Sequence, residues 1–288
     1  MKKNRKTSTG LRARSSSKGS SSKGSKSVSI KSRTIADKWS KTIVMRKDFT
    51  LKRHIPRTKL ATKDGLRSML TQYGMVYVKP TRGSQGRGVM KMEKLGAKYT
   101  YQLGSKKSTF TTYAAAYRSI HKEMKGERYL VQKGIRLLKH KGRRFDIRLM
   151  VQRAPQGGWA ATGSFSRAAH PGKIVTNGSQ GGSIYSTVHV LKRHAGPAGR
   201  RKLLKSMDRL GLRTARLLRV GSPGIKELGL DFAIDARLKP WILEVNTAPA
   251  VCPFSLLADQ SMLRRIVRYG KAYGKTYQLK CTKAKRGR

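Results

Sequence analysis

The strongest chemical signal in the chain lies in Asp231, Glu244 and Asn246. They stand in two short apolar runs, 230–235 and 241–246, separated by a turn at 236–239. Strand alternation puts Asp231, Ala233 and Asp235 on one face of the first run, and Glu244 and Asn246 on one face of the second. If the runs pair, Asp231, Glu244 and Asn246 converge near the strand ends opposite the turn. Two carboxylates and an amide oxygen suit Mg²⁺, which commonly takes one or two carboxylates plus substrate phosphates. Without a cation the adjacent carboxylates repel, and burying them unpaired is costly. The alternative is pairing with Lys or Arg; Asn246 favours the metal, because an amide adds nothing to an ion pair yet supplies a ligand oxygen.

The second signal is a glycine loop over residues 78–89. Lys79 closes a β-type run, then Gly83, Ser84, Gln85, Gly86 and Gly88 precede the next run. Glycine lets backbone N–H groups turn inward and form a nest for phosphate, and Lys79 adds a point charge to the same anion. The loop is neither a Walker A motif, since no Gly-Lys-Ser/Thr follows, nor a dinucleotide fingerprint, since it runs from strand to strand. Taken alone it is weak evidence for phosphate, since a flexible glycine-rich hairpin has the same composition.

These residues need a scaffold. Strands are expected over 75–79, 89–92, 129–132, 145–152, 159–166, 228–234 and 241–245, and helices over 66–73, 109–123, 198–219 and 256–272. Pro155, Gly157 and Gly158 mark the turn between 145–152 and 159–166. Mostly antiparallel strand pairs with segregated helices give an α+β fold. A folded body over 50–272 is expected between a disordered Lys/Arg/Ser-rich tail at 1–40 and a basic tail at 273–288.

The chain has 288 residues, 66 Lys+Arg against 13 Asp+Glu and a net charge of +53. An apolar fraction of 37% suffices for a core. No window approaches the ~18 apolar residues of a membrane span, and the N-terminus has no apolar signal region. The first 36 residues hold 11 Lys/Arg, 11 Ser and no acid. Because only 11 of the 66 basic residues sit there, the body itself is basic, and attraction to polyanions follows. Four of the 13 acids fall between 227 and 244. Cys252 and Cys281 are too few for a disulfide framework or a Cys-rich zinc site, and Cys252 is expected to be buried rather than reactive.

Together the motifs resemble the ATP-grasp superfamily and, within it, the YheC/YheD-like, endospore coat-associated group. The resemblance rests on His54-Ile55-Pro56-Arg57-Thr58, Lys79-Pro80 with the loop 83–88, the run 129–135, Phe145-Asp146-Ile147-Arg148, Thr176-Asn177, Gly181-Gly182, the run 227–231 and Glu244-Val245-Asn246. It covers roughly residues 50–265 and implies an ATP–Mg²⁺ site, with Mn²⁺ as a substitute, between two α+β lobes. It implies that Lys79 contacts phosphate, that Gly83, Ser84, Gln85, Gly86 and Gly88 cover the β- and γ-phosphates, and that Val131 and Gln132 form a hinge beside adenine. It assigns Arg148 and Asn177 to the phosphoryl-transfer centre and Asp231, Glu244 and Asn246 to the metal. No histidine is demanded, so His121, His170 and His189 are expected to be structural or surface residues.

Such a site usually phosphorylates a carboxylate, and an amine attacks the acyl-phosphate. The resemblance therefore implies a carbon–nitrogen ligase with unknown carboxylate and amine substrates, expected in the cytoplasm and associated with spores. No acid for ribose lies between Glu127 and Asp146, and Thr247-Ala248-Pro249-Ala250 replaces the usual Pro-Gly. Relatives carry a further N-terminal domain, so the acceptor half is expected from another chain or not at all. The competing class is a non-catalytic protein that binds polyanion or nucleic acid on the same scaffold.

Overall fold

The computed structural model describes residues 37–282 and 284–287. The tail expected over 1–40 lies outside the described residues up to residue 36. From residue 37 the chain is helical: Asp37 accepts from the Ser40 amide and opens α1 (Lys38–Arg46). The boundary expected at 40 therefore cuts into a helix. Asp48 caps the short α2 (Phe49–Lys52) in the same way; both are ordinary acidic N-caps that satisfy an orphan amide.

The small lobe follows as β1 (Thr58–Leu60), α3 (Lys63–Tyr73), β2 (Met75–Pro80), β3 (Met90–Leu95), β4 (Lys98–Leu103), β5 (Lys106–Phe110), α4 (Tyr113–Met124) and β6 (Tyr129–Lys133). Its antiparallel sheet runs β1-β6-β2-β3-β4-β5. The hairpin β4–β5 was not expected, because its strands are Lys- and Thr-rich; residues 109–110, expected as helix, belong to it. Leu66, Met69 and Leu70 of α3 and Ala116 and Ile120 of α4 cover Val76, Val78, Met90, Met92 and Val131 of the sheet. Each large side chain buried this way contributes about 1.5–3 kcal/mol.

The large lobe contains β7 (Lys139–His140), β8 (Arg143–Arg153), β9 (Trp159–Ala168), β10 (Ser183–Ser186), α5 (Thr187–Leu191), α6 (Pro197–Gly221), β11 (Glu227–Ile234), β12 (Pro240–Asn246), α7 (Ser261–Lys271) and β13 (Lys285–Arg286). The sheet order is β12-β11-β8-β9-β10-β13, with β7 on β8 and only β13 parallel to its neighbour. β8 shows the division of labour between faces. Phe145, Ile147, Leu149 and Val151 join the core beneath α6, where Leu203, Met207 and Leu210 meet them. The alternate residues Asp146, Arg148, Met150 and Gln152 face the other way. There Met150 packs with Phe165, Phe254 and Ile266.

Of the stretch 273–288, expected as a basic tail, residues 273–282 and 284–287 are built into the body. The Tyr273 and Tyr277 hydroxyls donate to the buried Glu227 carboxylate, 2.9 and 2.5 Å away, and Lys275 pairs with it. Cys281 forms a disulfide with Cys252, and β13 adds the last strand to the sheet. The two cysteines thus make one staple, which their number alone did not predict.

Candidate active site between the lobes

The polar face of the large sheet carries a ladder of charged residues placed by strand register. Arg148 stands opposite Asp231, Asp146 opposite Arg167, and Asp231 opposite Glu244. Arg167 grips Asp146 through Nε–Oδ1 at 2.8 Å and Nη2–Oδ2 at 2.5 Å, and its Nη2 is 2.9 Å from Asp231 Oδ2. Arg148 donates Nε to Asp231 Oδ1 and Nη2 to Oδ2, the latter at 3.1 Å. All four residues are buried. Burial would raise the Asp231 carboxyl, but the guanidinium of Arg148 and then that of Arg167 hold it down at about 2. Burial would lower Arg167, and Asp146 and Asp231 instead raise it, so it stays charged. Gly229 makes room for this ladder: a Cβ there would lie 2.7 Å from Pro249 Cβ and 3.1 Å from Arg148 Cδ.

Across from the ladder, Lys79 ends β2 and donates Nζ to Gln132 Oε1 at 2.7 Å. Gln132 Nε2 in turn donates to Thr58 Oγ1 at 3.3 Å, which fixes the amide and so the ammonium. Desolvation lowers the pKa of Lys79, with Glu244 acting against it and Lys38 with it. The glycine loop is tied down by two side chains from outside the small-lobe sheet. Lys38 Nζ donates to Gly83 O at 2.7 Å and lies 3.7 Å from Glu244 Oε1. Gln180 Nε2 donates to Gln85 O at 3.0 Å. Gly86 has φ +71, and a Cβ there would sit 2.7 Å from Asn177 Oδ1, so the loop and Asn177 touch across the cleft.

The cleft so formed has an empty volume of about 800 Å³ open to solvent. Of the expected residues it is lined by Lys79, Gly83, Ser84, Gly86, Gln132, Asn177, Asp231 and Glu244. Val131 is not in it: its side chain is fully buried in the small-lobe core. Gly88 supports the loop from behind, where a Cβ would meet the Tyr129 hydroxyl at 2.9 Å. The apolar walls are Tyr77, Ile135, Leu137, Ile174 and Leu243. Lys38, Asp146 and Arg167 also line the cleft; none had a role assigned from sequence, although Asp146 stands in the motif over 145–148. Asp146 interrupts an apolar run between Phe145 and Ile147, the one signal that could have found it; Arg167 follows Ser164 and Ser166 and carries no such mark, and Lys38 was hidden by the composition of the tail before it.

A second chamber adjoins the first. It shares Ser84, Arg167, Asn177, Asp231 and Glu244 with the cleft and adds Gln85, Arg148 and Asn246. Its outer wall comes from 248–253 and from Lys280, Cys281, Thr282 and Ala284, the two stretches joined by the disulfide. The segment around residues 280–282 therefore encloses space beside the glycine-loop end of the cleft.

The donor set fits Mg²⁺. Glu244 and Asn246 share one face of β12, and Asp231 sits beside Glu244. Three N–H groups occupy Asp231, which leaves about one of a carboxylate's four lone-pair positions. Among the described residues no group of three or more His, Cys, Asp and Glu could hold a metal. Two carboxylates and one amide oxygen are the number of protein donors that suits Mg²⁺ where phosphate oxygens complete its shell.

Comparison with known proteins agrees with this architecture. A crystal structure of the D-cycloserine synthetase DcsG superposes with a TM-score of 0.51 at 11% identity, covering 84% of this chain and 70% of that one. A biotin carboxylase–β-γ-ATP complex from Campylobacter jejuni gives 0.51 at 15%, covering 84% and 47%. At such identities the likeness shows the fold alone. The endospore coat-associated protein YheD of Bacillus subtilis (strain 168) is 26% identical over 231 residues, 78% of this chain and 50% of YheD. YheC of the same strain is 25% identical over 221 residues, 75% of this chain and 61% of YheC. The chain thus spans about half to three-fifths of these relatives. The model of YheC/D-like ATP-grasp proteins matches residues 28–276, so the chain belongs to the YheC/D-like ATP-grasp family.

Proposed function

We propose that the chain binds ATP with Mg²⁺ in the cleft and uses it to activate a carboxylate for attack by an amine. The observation that supports this best is the shared wall of the two chambers. Ser84, Arg167, Asn177, Asp231 and Glu244 border both, so a γ-phosphate held in the first faces an acceptor held in the second. The apolar walls take the adenine, Lys79 and the loop at Gly83–Gly86 take the phosphates, and Lys38 closes the loop over them. Glu244, Asn246 and Asp231 hold the cation, which neutralises charge on the phosphates when bound.

Phosphoryl transfer asks for positioning and fixed positive charge more than for a protein nucleophile. Arg148 and Arg167 provide that charge from a buried frame that does not need to reorganise. The transferred group passes to the acceptor carboxylate, and the amine then displaces phosphate from the acyl-phosphate. The second chamber admits Arg148 and Lys280 to its wall, which suits an anionic acceptor. The likeness to YheD and YheC supports an endospore setting for the proposed reaction.

The test is calorimetric nucleotide binding with and without Mg²⁺, followed by ADP release with candidate carboxylates. Glu244→Gln is expected to lose at least about tenfold in ATP affinity with Mg²⁺ while metal-free ATP binds as in the wild type, by analogy with the 10–100-fold effects around metal sites. Equal Mg²⁺-dependent affinity in both proteins removes Glu244 from the metal. No ATP binding at all removes the ligase reading.

A further inference from the structure

We propose that the solvent face of α6 is a docking ridge for the phosphate backbone of duplex nucleic acid. Arg201, Lys205, Arg209, Arg213 and Arg216 are all exposed and recur every four, four, four and three residues, which aligns them along one side of the helix. At 1.5 Å per residue the row is about 22 Å long. The only acid in the helix, Asp208, is partly buried, and among the described residues the only ion pair made by the row is that of Arg213 with Asp48. Two shallow depressions, with empty volumes of about 910 and 940 Å³ open to solvent, run beside the ridge and share Arg209 and Leu212. Like charges at four-residue spacing repel and weaken a helix, so the row opposes folding until an anion neutralises it.

The chemistry of the row selects among polyanions. Four of its five cations are arginine, whose planar fork matches phosphate oxygens two at a time. The helix carries no aromatic residue, so it offers no platform on which single-stranded bases could stack. A membrane-surface helix needs an apolar face to insert, and here Leu203, Met207, Leu210 and Leu218 are spent on the core beneath α6. A row of cations along one side of a helix, with no group placed to read bases, fits the regular phosphates of a duplex, bound without sequence preference. The ridge belongs to a different surface from the nucleotide cleft, with no lining residue in common.

The experiment measures affinity of the full chain for a 30-base-pair DNA duplex across a salt series. One variant carries Arg201→Gln, Lys205→Gln, Arg209→Gln and Arg216→Gln. A control removes the same charge from exposed lysines of the small lobe: Lys94→Gln, Lys98→Gln, Lys106→Gln and Lys107→Gln. The helix variant is expected to bind at least about tenfold more weakly, with a log–log salt slope shallower by about 2–4, near 0.9 for each phosphate no longer neutralised. The control is expected to stay within about twofold, the helix variant to melt at or slightly above the wild-type temperature because the repulsion at four-residue spacing is relieved, and both variants to bind ATP as the wild type does. Equal weakening by both sets, weakening by neither, no duplex binding by the wild type, or preference for phosphatidylserine vesicles over the duplex overturns the proposal. Loss of ATP binding bears on the cleft alone, so the two readings fail separately.

Discussion

Arg148 and Asp231 face each other across β8 and β11, and the guanidinium meets both carboxylate oxygens in a buried pair. Arg167 binds the same carboxylate from β9. The anion therefore serves two cations, and it fixes both at the border of the two chambers. Asp231 in this arrangement is the frame of the two arginines as well as a proposed ligand for metal.

Removing the anion should show in the acid stability of the protein. Asp231 has its carboxyl held at about 2 against an ordinary 3.8. A depressed acid contributes stability that is present above the unfolded value and lost as pH falls through the folded one. Between pH 3.8 and about 2 the wild type is expected to lose this contribution, and Asp231→Asn to lack that component of the profile. Breaking a buried pair by removing one partner costs about 3–5 kcal/mol, so the variant should also unfold at lower urea at neutral pH. Superimposable acid profiles would show that the pair does not form.

The strand pair that carries Asp231, Glu244 and Asn246 was legible because alternation and a four-residue turn are local signals. The glycine loop was legible for the same reason. The rest of the site is assembled by register between distant strands. Arg167 acquires its role only by standing opposite Asp146 on β8, and among 66 basic residues nothing local marks it. Val131 shows a different limit. Its neighbour Gln132 reaches the cleft, and strand alternation then obliges Val131 to point into the small-lobe core. Lys38 was hidden by composition, since the Lys-rich stretch before it reads as tail up to the cap at Asp37.

Lys79 should couple nucleotide binding to a proton. Its folded pKa lies below the ordinary lysine value because of burial. Between the two values the folded protein holds neutral Lys79 while the unfolded chain holds the proton, so this group makes stability rise with pH there. A bound phosphate favours the ammonium, so ATP binding at alkaline pH is expected to take up to about one proton. Tyr77, close to Lys79, is pushed up to about 12 by burial and stays neutral in that range. Calorimetry in two buffers of different ionisation enthalpy measures the uptake. Lys79→Met should abolish it; uptake that survives in this variant assigns the proton elsewhere.

The disulfide joins Cys252 to Cys281 across a sequence separation of 29. Closing a loop of that size removes about 3–4 kcal/mol of freedom from the unfolded chain in the entropy model. At about 2–4 °C per kcal/mol for a domain of this size, Cys252→Ser or a reductant should lower Tm by about 6–16 °C. ATP affinity should hold, because neither cysteine lines the nucleotide cleft, whereas both line the second chamber. Alkylation of the unfolded, unreduced chain settles the pairing directly. It should add no carbamidomethyl group before reduction and two after it, and two adducts before reduction would remove the staple from the wall.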